Sequence, residues 1–69
     1  MENILAELRK ENKMTQQDLA EKLKVSRQSI IAIEAGKFNP SVILAIKISR
    51  LFNMPVDKIF IYKGDEDEV

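Results

Sequence analysis

Arg27, Gln28, Ile31 and Ala32 are the residues of this chain whose types and spacing suit chemistry on a partner, and they sit together in VSRQSIIAIEAG. With Ile30 and Ile33 turned inward on a helix, these four face outward. A guanidinium forks onto N7 and O6 of guanine, a glutamine amide pairs bidentately with adenine, and an isoleucine or alanine can touch a thymine methyl. The start of such a helix also favours phosphate. This would be readout by hydrogen bonding and contact, with no bond made or broken. An Arg-Gln pair equally fits an ordinary solvated face, so the elements that hold it must decide between the two.

Bond-making chemistry has little to work with. The 69 residues include neither histidine nor cysteine, so nucleophilic triads, His-based or thiolate metal sites and a disulfide framework are excluded. An enzyme is not expected, and no metal, cofactor or small-molecule ligand is implied. The length suits one small domain with a modest core, marginal alone, which favours a partner chain. No apolar run approaches the roughly 18 residues of a membrane span. The start, MENILAELRK, lacks the basic stretch before an apolar run that marks a signal peptide. A cytoplasmic location is the expectation.

The formal net charge is zero but unevenly spread. All 11 Lys and Arg lie within residues 1–64 together with only seven of the 11 acids; the other four are Asp65, Glu66, Asp67 and Glu68. A body of net charge +4 followed by an acidic tail is a different object from a neutral chain. The tail reads as a solubilising end; the sharper alternative is an electrostatic competitor for a basic face.

Five helical segments with short connections are expected, and hence one compact all-α bundle. Ile4, Leu5 and Leu8 form an apolar stripe on a first helix at about 3–12. NKMT breaks it, and Thr15 with Asp18 three residues on resembles a capping box opening a second helix at about 16–23. Leu19, Ala20 and Leu23 share one face there. Ser26 caps a third helix at about 27–35, ended by Gly36. Asn39-Pro40 makes a loop, and Ser41 caps a fourth helix at about 42–52, with Asn53 suited to a left-handed end. Pro55 fits the first turn of a fifth, PVDKIF, and the β-formers of IFIYK are compatible with a short C-terminal strand.

Residues 16–35 then read as a unit: two short helices with a small residue, Ala20, at their closest approach, Val25 plugging the turn, and Ile30 and Ile33 completing the inner face. The stretch TQQDLAEKLKVSRQSIIAIEAGKFNPS resembles the Cro and phage-repressor type of helix-turn-helix, also called Xre-like, and the likeness runs on through LAIKISRLFNMPVDKIF, covering about residues 4–60. It implies a five-helix, lambda-repressor-like DNA-binding domain over residues 1–63, acting as a dimeric transcriptional regulator, with residues 64–69 as the acidic tail. The ending resembles, more loosely, small Gram-positive repressors that add a little antiparallel β-structure. By position, the resemblance implies base reading by Arg27 and Gln28, a groove-facing place for Ala32, phosphate contacts by Gln16, Lys37 and Asn39, and an ion pair of Arg9 with Glu34 tying the first helix to the third. Ile31 is a candidate methyl contact.

One position departs from the family. Lys24 stands where glycine is usual, at a turn position that needs φ > 0. The fourth helix also has more apolar residues than one face needs. With Val42, Ala45, Ser49 and Phe52 inward, Ile43, Leu44, Ile46 and Leu51 are left over, joined by Ile59, Ile61 and Tyr62. A wider buried face accounts for this excess, or a two-fold dimer interface made by Leu44, Leu51, Ile59, Ile61 and Tyr62, which suits a palindromic operator. The expected partners are double-stranded DNA and a second copy of the chain, with no membrane. Two rival readings are an antitoxin-type autoregulator that holds a toxin protein, for which Gly64 to Val69 leave little chain, and a protein-interaction domain without DNA binding, against which Arg27, Gln28 and Lys37 argue.

Overall fold

The computed structural model describes residues 1–64 and contains five helices and one small sheet, in the order β1 (Glu2–Asn3), α1 (Leu5–Glu11), α2 (Gln16–Leu23), α3 (Arg27–Glu34), α4 (Val42–Phe52), α5 (Val56–Ile59) and β2 (Phe60–Ile61). The fold is all-α with a two-stranded addition. The acidic run Asp65–Glu68 lies outside the described residues.

Each of the three middle helices opens on a side-chain cap, because the first backbone N–H groups of a helix have no partner of their own. Thr15 accepts from the Asp18 N–H while the Asp18 carboxylate accepts from the Thr15 N–H, a full capping box. Hydrogen bonding from the Thr15 N–H first, and then from the Thr15 hydroxyl, holds the Asp18 carboxyl below the usual carboxylate range. Ser26 accepts from the Ser29 N–H, and Ser41 from the Leu44 N–H.

Four helices end alike, on a residue in the left-handed region: Lys13 (φ 58), Lys24 (φ 60), Gly36 (φ 76) and Asn53 (φ 54). In each case the next residue's N–H returns to a carbonyl five residues earlier, as with Val25 to Ala20 and Lys37 to Ala32, both at 3.0 Å. This closure makes use of carbonyls that the helix leaves over. Two of these positions carry lysine, whose Cβ crowds the carbonyl at positive φ by about 1–2 kcal/mol. Lys24→Gly is therefore expected to stabilise the domain by about 1 kcal/mol, after allowing for glycine's greater freedom when unfolded. A thermal melt should rise by roughly 4–8 °C; no rise would mean that the motif relieves the lysine of strain.

The core is assembled from Leu5 and Leu8 of α1, Leu19, Ala20 and Leu23 of α2, Ile30 and Ile33 of α3, Leu44 and Ile48 of α4, and Ile59 and Phe60. Val25 packs at its edge, inside the α2–α3 turn. The inward stripe of α4 differs from the 42/45/49/52 expectation. Leu44 and Ile48 are buried, Ala45, Ser49 and Phe52 are half-buried, and Val42 is 76% exposed. The rotation adopted puts two large aliphatic side chains inside, where the expected one would have used a valine and a serine, so it removes more apolar surface from water.

The same rotation corrects part of the expected dimer surface. Leu44 (8% exposed) and Ile59 (0%) belong to the chain's own core and have no outward face to offer. Leu51 and Tyr62 are exposed and Ile61 is half-buried. Ile43 and Ile46, left over in the sequence count, are exposed, and Val42 and Val56 join them.

The sheet has a strand that leaves no mark on the sequence. β1 pairs antiparallel with β2, Glu2 opposite Ile61 and Asn3 opposite Phe60. Asn3 is accordingly extended, and α1 starts later than the apolar stripe suggests. Pro55 stands just outside α5, as its N-cap.

Candidate nucleic-acid interface

α3 is fixed at both ends and along one side. Ser26 caps its start through the Ser29 N–H at 3.1 Å, and the two serine hydroxyls lie 3.0 Å apart. Ile30 and Ile33, both 0% exposed, bind its inner side to the core. At its far end Glu34 reaches back to α1. Arg9 donates from Nε to Glu34 Oε2 at 2.7 Å and from Nη2 to Oε1 at 3.2 Å. These side chains are only 10% and 8% exposed. Arg9 Nη1 also donates to the Met14 carbonyl at 2.8 Å, which ties down the α1–α2 turn. The hydrogen bond to Glu34 raises the Arg9 guanidinium above its ordinary value, so the group remains a cation despite its burial.

On the outer side, Arg27 and Gln28 are exposed. Neither side chain has a hydrogen bond or ion pair with any other described residue. Ile31 and Ala32 are half-buried one turn on, flanking them. The one acid of α3, Glu34, is neutralised by Arg9, so the outer face carries no free carboxylate. A planar donor fork and a side-chain amide, unpartnered among the described residues and mounted on a capped helix, can engage base edges without breaking any bond to those residues.

Gln16, at the start of α2, is half-buried, and its side-chain amide is turned inward, donating to Glu34 Oε1 at 3.1 Å. The group it leaves for an anion is its backbone N–H, in the first turn of α2. Lys37 and Asn39 are exposed in the loop between α3 and α4. Phe38, between them, is 53% exposed and was not singled out by the sequence. Its signal was available: an aromatic residue in a polar loop next to a lysine, with no apolar period to bury it. Asn3 was missed as well. Its Oδ1 accepts from the Leu5 N–H at the start of α1 and its Nδ2 donates to the Ile33 carbonyl near the end of α3, and an asparagine directly ahead of an apolar stripe is a signal for such a contact.

Residues 5–59 match the helix-turn-helix family model. The chain belongs to the helix-turn-helix family. It is 53% identical over 66 residues to an uncharacterized HTH-type transcriptional regulator of Methanocaldococcus jannaschii, covering 96% of this chain and 100% of that one. An HTH-type regulator of Methanothermobacter thermautotrophicus is 46% identical over 68 residues, covering 97% and 96%. The HTH-type regulator YgzD of Bacillus subtilis is 40% identical over 60 residues, covering 87% and 91%. Family and relatives together support a DNA-binding regulator of transcription. No helix among the described residues is long and apolar enough to cross a membrane.

Proposed function

We propose that this helix-turn-helix chain is a homodimeric, cytoplasmic repressor that reads a palindromic operator with α3 in the major groove. The observation that carries this reading is the Arg27–Gln28 pair, exposed and without a side-chain partner among the described residues, at the start of a helix whose opposite side is core. Arg27 would fork onto a guanine and Gln28 pair with an adenine, with Ile31 and Ala32 lying against thymine methyls. The backbone N–H of Gln16 and the side chains of Lys37 and Asn39 would hold the phosphates on either side, supplying affinity but not sequence discrimination.

Dimerisation is supported by the apolar surface that the core leaves over. Ile43 (70% exposed), Ile46 (45%) and Leu51 (37%) lie on α4, and Val56 and Tyr62 follow. A chain of this size rarely leaves so much apolar surface in water unless it meets a partner. An isologous contact there would turn the two copies of α3 toward successive major grooves, about 34 Å apart.

Selection of bound sequences from a random duplex pool tests the reading in one experiment. The wild-type protein should recover a two-fold symmetric site with half-sites one helical turn apart. Arg27→Ala should lose preference at one base pair of each half-site and weaken binding by about 1–3 kcal/mol. A lone asymmetric half-site would remove the dimer. A variant that recovers the wild-type sequences with undiminished preference would remove Arg27 as a reader.

A further inference from the structure

The N-terminal segment reaches two distant parts of the fold at once. Asn3 Nδ2 donates to the Ile33 carbonyl at 2.8 Å and to the Met1 carbonyl at 3.1 Å, while Asn3 Oδ1 accepts from the Leu5 N–H at 3.1 Å. The Met1 nitrogen donates to the Gly36 carbonyl at 2.8 Å. Packing is close as well as hydrogen-bonded: a Cβ on Gly36 would lie 3.3 Å from the Met1 oxygen. Along its other edge the segment pairs with β2, and the Ile4 N–H donates to the Ile59 carbonyl at 3.0 Å. Residues 1–4 therefore clasp the last turn of α3 to the C-terminal strand.

That last turn is where the α3–α4 loop begins. The Gly36 N–H returns to Ile33 and the Lys37 N–H to Ala32, each at 3.0 Å. These bonds fix the shape of the turn but not its place relative to the rest of the domain. The Ile33 carbonyl has two lone pairs; Gly36 occupies one and Asn3 the other. Arg9 and Gln16 hold this turn through the Glu34 side chain, and Asn3 bonds its backbone directly, at the Ile33 carbonyl.

We infer that Asn3 is a positioning residue for DNA binding: it sets where the Lys37–Asn39 loop meets the phosphate backbone relative to Arg27 and Gln28. The inference rests on the DNA reading above. Its local role, accepting from the Leu5 N–H at the start of α1, is separable by chemistry. Asn3→Asp keeps the oxygen that accepts from Leu5 but replaces the amide donor with a second oxygen facing the Ile33 carbonyl. Asn3→Ala removes both functions.

The test compares wild type, Asn3→Asp and Asn3→Ala at a temperature where each is folded. Amide hydrogen exchange is followed at Gly36 and Lys37, and binding to a random-sequence duplex is followed as a function of salt. Both variants should speed exchange at Gly36 and Lys37 relative to the amides of α4. Both should bind roughly three- to tenfold more weakly, the scale of one hydrogen bond, with a salt slope lower by about one, as when one phosphate contact is lost. A change in stability alone leaves the salt slope of folded protein where it was. Wild-type slopes in both variants, or unchanged exchange at Gly36 and Lys37, would overturn the inference and leave the DNA reading standing. Wild-type protein that binds no duplex at low salt would overturn both.

Discussion

Arg9→Ala should destabilise the domain by about 3–5 kcal/mol, because it leaves the Glu34 carboxylate buried with Gln16 as its remaining side-chain donor. Both side chains lie about nine-tenths out of water, where a carboxylate without its cation is costly. The same substitution releases the Met14 carbonyl, which Arg9 Nη1 now satisfies. A 69-residue domain has a total stability of roughly 3–10 kcal/mol, so the variant should be partly unfolded at physiological temperature. Urea unfolding would read the loss directly. The loss should exceed that of a double replacement, Arg9→Met with Glu34→Leu, since removing both charges leaves no orphan. If the single and double variants were equally unstable, packing around the pair would be the source of its effect, and desolvation of Glu34 would not.

That comparison also bears on how α3 is aimed. Glu34 gathers donors from α1 and α2 at the end of α3, and Ser26 fixes the other end. The outward pair can be exposed and still well placed because its helix is held at points remote from it. The double variant should thus recover stability before it recovers selectivity for the operator.

Much of this arrangement could be read in advance. The caps at Thr15, Ser26 and Ser41 are local chemistry, since a short oxygen-bearing side chain ahead of an apolar stripe has few other uses, and all three accept the expected N–H. Leu19, Ala20, Leu23, Ile30 and Ile33 follow one helical period, with polar residues opposite, and all are buried. Lys24 was placed at a left-handed position by resemblance, and its φ is 60. α4 was harder for a physical reason. VILAIKISRLF is apolar on most of its circumference, so periodicity admits several inward stripes and only the neighbouring helices choose among them. β1 was illegible because two residues cannot show a period and its partner lies some sixty positions away. Gln16 could be placed at the start of α2, but the capture of its amide by Glu34 depends on a contact 18 residues distant.

The second large effect expected is at Ile59, and it follows from the corrected register of the surface. Ile59→Ala should cost about 2–5 kcal/mol, the range for truncating a fully buried aliphatic side chain whose surroundings close only partly around the space. Ile59 is 0% exposed, ends α5, and carries the carbonyl that holds Ile4. Its side chain belongs to the core cluster, and the next residue, Phe60, begins the strand that pairs with β1. Were Ile59 an interface residue, its truncation would weaken self-association and the loss would grow as the protein is diluted. As a core residue it should lower the unfolding free energy by the same amount at every protein concentration. Ile43→Ser is the contrasting substitution: at 70% exposure it should leave the fold of one chain nearly unchanged while raising the dissociation constant of the proposed dimer. Unfolding curves for the two variants across a hundredfold dilution would separate core from interface, and opposite behaviour of the pair would return Ile59 to the surface and take Ile43 off it.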